Sequence, residues 1–390
     1  MEKLKVMAVF GTRPEAIKMA PVVLELGKYP EIKSLVAVTA QHREMLDQVL
    51  NLFDIRPDFD LNIMSEGQTL FDITSRALLG LDKVLTQAKP DVVLVHGDTT
   101  TTFAGALAAY YHQIEVGHVE AGLRTRNKFS PYPEEMNRRL TGSLADLNFA
   151  PTVTAKENLL REGVDADKIF VTGNTVIDAL YQTVRADFNF PDFDFSKRII
   201  LVTTHRRENL GEPMRQVYKA LKALVEEFSD VEIIFPVHKN PKVREVVNEE
   251  LGGLERVCLI DPLDYEPFAN LMNRATLILT DSGGVQEEAP ALGKPVLVLR
   301  DTTERPEAVD AGTVKLIGTN QAKVYGAAKL LLTDATEYKK MAEARSPYGD
   351  GHAAERIVKA LLWRHGILSA RPEEFGGYTE INFENDIMKA

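Results

Sequence analysis

Short runs of valine, isoleucine, leucine and alanine recur along this chain without polar alternation, and most are followed by a stretch of helical periodicity. KVMAVF, LVAVTA and the VVLV of DVVLVHGD have no polar face, as strands buried on both sides require. Between the first two, GTRPEAIKMAPVVLEL has the apolar spacing of a helix, with Pro14 near its start where proline is tolerated. The cycle repeats in TTTTFAGALAAYY and IEVGHVEAG, while LNFAP and IFVTGN read as further strand ends. Strand–helix–strand winding of this kind predicts a parallel sheet with helices on both faces.

After VTGNTVIDALYQTV the segment FNFPDFDFSKR has neither period and reads as a linker ending near residue 196. A second series then begins, with RIILVTTHRREN, VEIIFPVHKN, RVCLIDP, TLILTDSGG and KPVLVLRDTTERP each an apolar strand ending in polar residues. The pattern predicts an α/β fold of two doubly wound, Rossmann-like domains facing a central cleft. The expected divisions are 1–172, a crossing helix and linker at 173–196, 197–365, and a C-terminal tail at 366–390 without assigned role. Ligands in such sheets sit beyond the C-terminal strand ends.

Length agrees with this reading, since 390 residues make two domains of ordinary size. No apolar run approaches the ~20 residues of a membrane span, and the short apolar stretch after Lys5 reads as a first strand and not as a signal peptide. Cys258, the single cysteine, excludes an internal disulfide and a cysteine-based zinc site, and suits a reducing, cytoplasmic setting. Lysine and arginine number 46 against 57 aspartates and glutamates, a net charge of −11 that argues against nucleic acid as a partner. An anionic metabolite remains possible if a few cations are concentrated in one place.

Polar residues gather at the strand tips: Gly11-Thr12-Arg13, His96-Gly97-Asp98, His118-Val119-Glu120, His205-Arg206-Arg207-Glu208, His238-Lys239-Asn240, Asp281-Ser282-Gly283-Gly284 and Arg300-Asp301. DSGG stands between a strand and a helix, where paired glycines admit close backbone approach and the helix N-terminus offers free N–H groups to a phosphate. Glu288, one turn on, is in reach of sugar hydroxyls, and Arg305 follows the next strand. Arg13 and Lys18 flank a turn that is neither a Walker A loop nor G-x-G-x-x-G, so neither an ATPase nor a dehydrogenase is indicated. Asp98 and Glu120 close two strands and Glu134 opens a helix, a set of carboxylates suited to acid–base work. Glu135 is assigned to i,i+4 pairing with an arginine. The pairs His96-x-Asp98 and His118-x-Glu120 have a metal-ligand look, but no tight histidine cluster accompanies them and no metal is expected. His112 and His352 read as surface or packing residues, Trp363 and Met272 as core.

GTRPEAIKMAP, HGDTTTT, HVEAGLRT, PYPEEMNRR, THRREN, LILTDSGGVQEEAP and LRDTTERPEA, in this order between residues 5 and 365, closely resemble the non-hydrolysing UDP-N-acetylglucosamine 2-epimerases of bacteria and archaea. The resemblance implies the GT-B architecture, a homodimer, and interconversion of UDP-GlcNAc and UDP-ManNAc by inversion at C2 without NAD, metal or other cofactor. It implies elimination of UDP to 2-acetamidoglucal and re-addition, supplying activated ManNAc for surface polysaccharide. By the resemblance Asp98, Glu120 and Glu134 carry the acid–base work, with the two faces of C2 left unassigned among them, and His205 approaches the leaving diphosphate beside Arg13. Ser282, Gly283 and Gly284 hold phosphate, Glu288 takes the ribose, Phe268 lies against uracil with Leu263 reading its edge, and Lys18 and Arg305 match further nucleotide-site positions.

Gln41, His42, Arg206 and His238 match a second UDP-GlcNAc site found in bacterial members. Glu44 and Gly67 depart from that pattern, which implies weak or absent activation. Three other functions fit parts of the chain. A hydrolysing epimerase would release free ManNAc and UDP, a GT-B glycosyltransferase would need an acceptor and no such carboxylate set, and a UDP-sugar-binding regulator would need no acid set at all.

Overall fold

The computed structural model describes residues 2–40, 43–190, 193, 195–204, 206 and 210–376. They form two compact units, one from the residues up to Ala179 and from Tyr348 onward, the other from Leu180–Pro347.

The first unit runs β1 (Leu4–Phe10), α1 (Arg13–Leu26), β2 (Ile32–Val38), α2 (Arg43–Leu52), β3 (Phe59–Asp60), α3 (Leu70–Ala88), β4 (Val92–His96), α4 (Thr100–Tyr111), β5 (Glu115–Val119), α5 (Glu134–Leu144), β6 (Leu147–Ala150), α6 (Val153–Arg161) and β7 (Ile169–Val171). Then α7 (Thr175–Thr183) leads into the second unit. Among the described residues the sheet has seven parallel strands in the order β3-β2-β1-β4-β5-β6-β7. The unbroken apolar runs have the predicted consequence: every residue of β4 is buried, because helices cover both faces. Met7, Val9, Val93, Val95 and Val116 pack against Leu81 and Leu85 of α3. Thr69 and Asp72 cap α3 reciprocally, with Thr69 N–H donating to Asp72 at 2.8 Å and Asp72 N–H to Thr69 at 3.2 Å.

The second unit continues with β8 (Arg198–Thr203), α8 (Glu212–Glu227), β9 (Val231–Pro236), α9 (Pro241–Leu251), β10 (Val257–Ile260), α10 (Tyr265–Arg274), β11 (Leu277–Thr280), α11 (Gly283–Ala291), β12 (Val296–Val298), α12 (Pro306–Asp310), β13 (Val314–Leu316), α13 (Gln321–Thr333) and α14 (Ala335–Ala342). Its six described strands are parallel in the order β10-β9-β8-β11-β12-β13. In both sheets the chain starts at the centre, winds outward, and returns to wind the other way. The topological switch therefore lies between β1 and β4 in one unit and between β8 and β11 in the other.

Two expectations about organisation need correction. The segment expected as a linker is a packed aromatic group of the second unit, with Phe188 and Phe190 ring centroids 4.8 Å apart and Phe193 and Phe195 against them. Aromatics without a period look like a linker in sequence, but here they bury one another. The second domain was expected to reach residue 365, whereas α15 (Ala353–Arg364) belongs to the first unit, packed along α1 with Ile357, Val358 and Leu361 fully buried. The start of the tail is also packed: Phe375 is 7% exposed and its N–H donates to Val171 O at 2.7 Å. Arg371 lies over the rings of Phe170 and Trp363, at 4.3 and 5.4 Å from their centroids. Trp363 is thus half-buried at the edge of the core, while Met272 is buried within it.

Candidate functional site

Each unit carries one group of polar residues at its switch point. In the first, Glu15 of α1 is the organiser. Its Oε2 accepts from Gly11 N–H at 3.1 Å and from Thr12 N–H and Oγ1, both at 2.8 Å. Its Oε1 accepts from Thr99 Oγ1 at 2.6 Å and Thr102 Oγ1 at 3.2 Å, at the start of α4. One buried carboxylate thereby fixes the turns after β1 and β4 against each other. The spacing Thr12-x-x-Glu15 is a capping-box signature that the sequence reading passed over. Arg13, presented by this turn and half-buried, makes no side-chain hydrogen bond or ion pair with any described residue.

Glu120 follows β5 with φ of 62°, a left-handed conformation in which a non-glycine residue is unusual. Its side chain is 9% exposed. Oε2 is held by an ion pair with Lys18 and by Asn174 Nδ2 at 3.1 Å, with His96 Nε2 at 3.5 Å. Oε1 makes no hydrogen bond with the described residues. Burial opposes ionisation of this carboxyl, but Lys18 and His96 outweigh it and hold Glu120 well below the usual carboxylate range.

Asp98, just past β4, pairs with Arg138 Nη2 at 2.6 Å, and its carbonyl accepts from Asn137 Nδ2 at 2.9 Å. Both partners lie on α5, whose first residue is Glu134, so α5 docks on Asp98 and brings Glu134 with it. Glu134 Oε2 is buried and has no hydrogen-bond partner among the described residues. Glu135 is fully buried and accepts from the Thr125 and Arg126 N–H groups at 2.9 and 3.0 Å. Its arginine partner is Arg138 at i+3, not the expected i+4 residue, because Arg138 is drawn toward Asp98.

Among the described residues His96 forms no ion pair with Asp98, nor His118 with Glu120. His96 leans on Glu120, while His118, 1% exposed, donates from Nε2 to Gly97 O at 2.7 Å. Burial pushes the His118 imidazole down to about 4, so it stays neutral. His112 bonds Asp82 on the surface and His352 bonds Glu355.

In the second unit Asp281 ends β11 fully buried and accepts the Arg206 N–H at 2.9 Å. Ser282 is the N-cap of α11, and Gly283 and Gly284 are its first two residues. Neither glycine has a positive φ. A Cβ on Gly283 would meet nothing within 4 Å, and one on Gly284 only Glu288 Oε2 at 3.6 Å. Backbone strain therefore does not explain the pair; open space over free N–H groups is what they provide. Glu288 is 8% exposed, and the buried Tyr265 hydroxyl lies beside it, raised well above the usual tyrosine range by burial and by that carboxylate. Arg305 is tied to Glu287, itself 3% exposed, and Thr303 donates to Gln286 Oε1 at 2.6 Å, so the loop after β12 is fastened to α11. Leu263 and Phe268 are both half-buried, at the end of the loop before α10 and on α10.

Arg206 and His238 follow β8 and β9; His238 Nδ1 accepts from Asn240 N–H at 3.1 Å. His205, Gln41 and His42 lie outside the described residues. Gly67 has φ of 67°, and Glu44 stands in the first turn of α2.

The sequence profile of the UDP-N-acetylglucosamine 2-epimerase family matches residues 24–362. The UDP-N-acetylglucosamine 2-epimerase of Bacillus subtilis is 63% identical over 97% of this chain and all of its own. A crystal structure described as a putative UDP-N-acetylglucosamine 2-epimerase from Listeria monocytogenes has a TM-score of 0.92 and 56% identity, over 96% of this chain and 99% of that one. The epimerase of Neisseria meningitidis, solved bound to UDP-GlcNAc, has a TM-score of 0.80 and 52% identity over 92% of this chain and 99% of its own.

Proposed function

The chain belongs to the UDP-N-acetylglucosamine 2-epimerase family, and from that membership we propose that it interconverts UDP-GlcNAc and UDP-ManNAc by elimination and re-addition of UDP. In the forward direction a base takes the proton from C2, the C1–C2 double bond forms, and the C1–O bond breaks with its electrons leaving on UDP. A proton then reaches C2 from the opposite face and a UDP phosphate oxygen re-forms the bond to C1. No electron is gained or lost overall.

The observation that carries this reading is the set of carboxylates at the ends of β4 and β5. Asp98 is braced by Arg138, Glu120 is held ionised with one oxygen unbonded by any described residue, and Glu134 keeps a buried oxygen without a partner among the described residues. Two-faced proton transfer at one carbon needs separate groups in different environments. In this reading Arg13 and the N-terminus of α11, with Ser282, Gly283 and Gly284, bind the diphosphate and stabilise its departure. Glu288 receives the ribose, Phe268 the uracil face and Leu263 its edge, while Lys18, His205 and Arg305 complete the anionic site. The product supplies activated ManNAc for surface polysaccharide. A second copy of the chain covers exposed apolar side chains such as Phe71 and Leu79 on α3 and Tyr110 and Tyr111 on α4.

Proton NMR of UDP-GlcNAc with chelator-treated protein in deuterated water tests this. UDP-ManNAc carrying deuterium at C2, with little free sugar, is the expected result. Free ManNAc with UDP, or an unchanged spectrum, overturns it.

A further inference from the structure

Asn174 has no place in the reaction as described, yet it makes four hydrogen bonds to described residues. It stands just past β7, 2% exposed. Its Nδ2 donates to Glu120 Oε2 at 3.1 Å, and its Oδ1 accepts from Val176 N–H at 3.1 Å, capping the first turn of α7. Its backbone N–H donates to Tyr348 O at 2.6 Å, and its carbonyl accepts from Ile177 N–H at 3.1 Å. The chain leaves the first unit along α7 and returns to it at Tyr348. One residue, through its side-chain amide and its backbone together, therefore joins the departing and returning segments to Glu120.

The packing around it is built for close approach. A Cβ on Gly173 would come within 3.2 Å of Gly349 Cα, and one on Gly349 within 3.2 Å of Ile177 and 3.4 Å of Asn174 O. Gly173 has φ of 85° and Gly349 of 152°, so a larger residue at either position would be strained by conformation and would crowd its neighbours. The backbone carrying Asn174 is therefore closely packed against the returning segment.

We propose that Asn174 is a positioning residue for Glu120, fixing Oε2 by its amide donor so that Oε1 is presented to the sugar, and tying that geometry to the two segments by which the chain leaves and re-enters the first unit. This rests on the reading of Glu120 as an acid–base group. A carboxylate held by one oxygen still rotates about its last torsion, which is soft. A cation such as Lys18 attracts without fixing direction, whereas an amide N–H both attracts and points. Besides Lys18 from α1, the titratable groups facing Glu120 among the described residues are His96 from β4 and His118 from β5.

Asn174→Asp separates this role from a merely structural one, because aspartate keeps the cap acceptor for α7 and loses the donor to Glu120. Activity is measured by formation of C2-deuterated UDP-ManNAc, across pH, for the wild type, Asn174→Asp and Asn174→Ala, with UDP affinity measured in parallel. The expected result is a kcat about 10- to 100-fold lower in both variants, with UDP affinity retained. In Asn174→Asp the acid limb of the profile also moves to higher pH, since a second carboxylate replaces a donor. If Asn174→Asp matches the wild type within about twofold while Asn174→Ala alone is impaired, capping is the whole role and the proposal is overturned. Wild-type activity in both variants overturns it equally. Should Asn174→Asp fail to bind UDP, Asn174→Ala carries the test, and a normal kcat and profile there overturns the proposal. Absence of UDP-ManNAc from the wild type overturns the reading of the reaction, and with it the proposal that rests on that reading.

Discussion

Lys18 on α1 and Glu120 beyond β5, 102 residues apart in the chain, form an ion pair at the switch point of the first sheet. The lysine is 17% exposed and the glutamate 9%, so the pair is largely desolvated and its strength depends on nothing else competing for the ammonium. A diphosphate is such a competitor. Drawing Lys18 toward phosphate would release part of what keeps Glu120 ionised and make it a stronger base at the moment substrate is bound.

Lys18→Met removes that cation without removing the stem. Glu120 then loses its largest stabilising partner, its carboxyl titrates higher, and the acid limb of the kcat profile is expected at higher pH than in the wild type. Superimposable profiles would show that Lys18 does not govern the ionisation of Glu120.

Asp98→Asn retains the shape that Arg138 grips but removes the charge. Exchange at C2 is expected to fall below detection while UDP still binds. Near-normal turnover in this variant takes Asp98 out of the mechanism.

Arg13 and Arg305 should respond differently to truncation. The Arg13 side chain makes no hydrogen bond or ion pair with a described residue, so Arg13→Ala is expected to weaken UDP binding about 10- to 100-fold, the worth of a charge-assisted hydrogen bond, with Tm within about 1 °C. Arg305→Ala leaves Glu287, 3% exposed, without its arginine. It should weaken UDP binding and also cost about 2 kcal/mol of stability, less than a fully buried pair because Arg305 is 21% exposed. UDP titration and thermal melts separate the two; equal Tm losses would contradict the assignment.

Gly283→Ala places a methyl group in open space, with nothing of the protein within 4 Å. The fold should tolerate it, and a helix favours alanine over glycine. If a phosphate occupies that space, UDP affinity falls by about 10-fold or more while Tm holds or rises. Unaltered affinity would move the phosphate elsewhere.

Asp178 gives a prediction in pH. It is 3% exposed and accepts from Ala353 and Ala354 N–H at 3.2 and 2.8 Å, capping α15. Burial raises its carboxyl from 3.8 to about 6. Between about 4 and 6 the folded state therefore holds a proton that the unfolded state has lost, so this residue's contribution to stability decreases as pH rises, by about 3 kcal/mol in all. Asp178→Asn abolishes that dependence. The difference in Tm, variant minus wild type, is expected to grow from pH 4 to 6.5 and then level. His118, shifted the other way, cancels in the difference. Parallel curves would refute the assignment.

Much of this was legible in the sequence because parallel sheets advertise themselves. Strands buried on both faces cannot alternate, so KVMAVF, DVVLVH and RIILVT stood out, and the chemistry gathered at their tips: Asp98, Glu120 and the DSGG turn. Glu134 was legible as a helix start. The bonds that orient these groups were not. Nothing local to Asn174 points to Glu120, which lies 54 residues away, and Glu15 reads as one more acidic residue in a first turn until the loop after β4 is seen beside it. The assignment of α15 failed for the same reason. An amphipathic helix near the end of a chain does not say in its own sequence which core it completes.

That helix makes the first unit discontinuous, with all of residues 180–347 inserted before its last piece. On a ribosome the second unit is finished first. Until α15 emerges, α1 has no cover on the side where Ile357, Val358 and Leu361 will pack, and Asp178 has no helix end to cap. The first unit therefore closes after the second, and the carboxylate site acquires its full support only once residues 180–347 and α15 have been made.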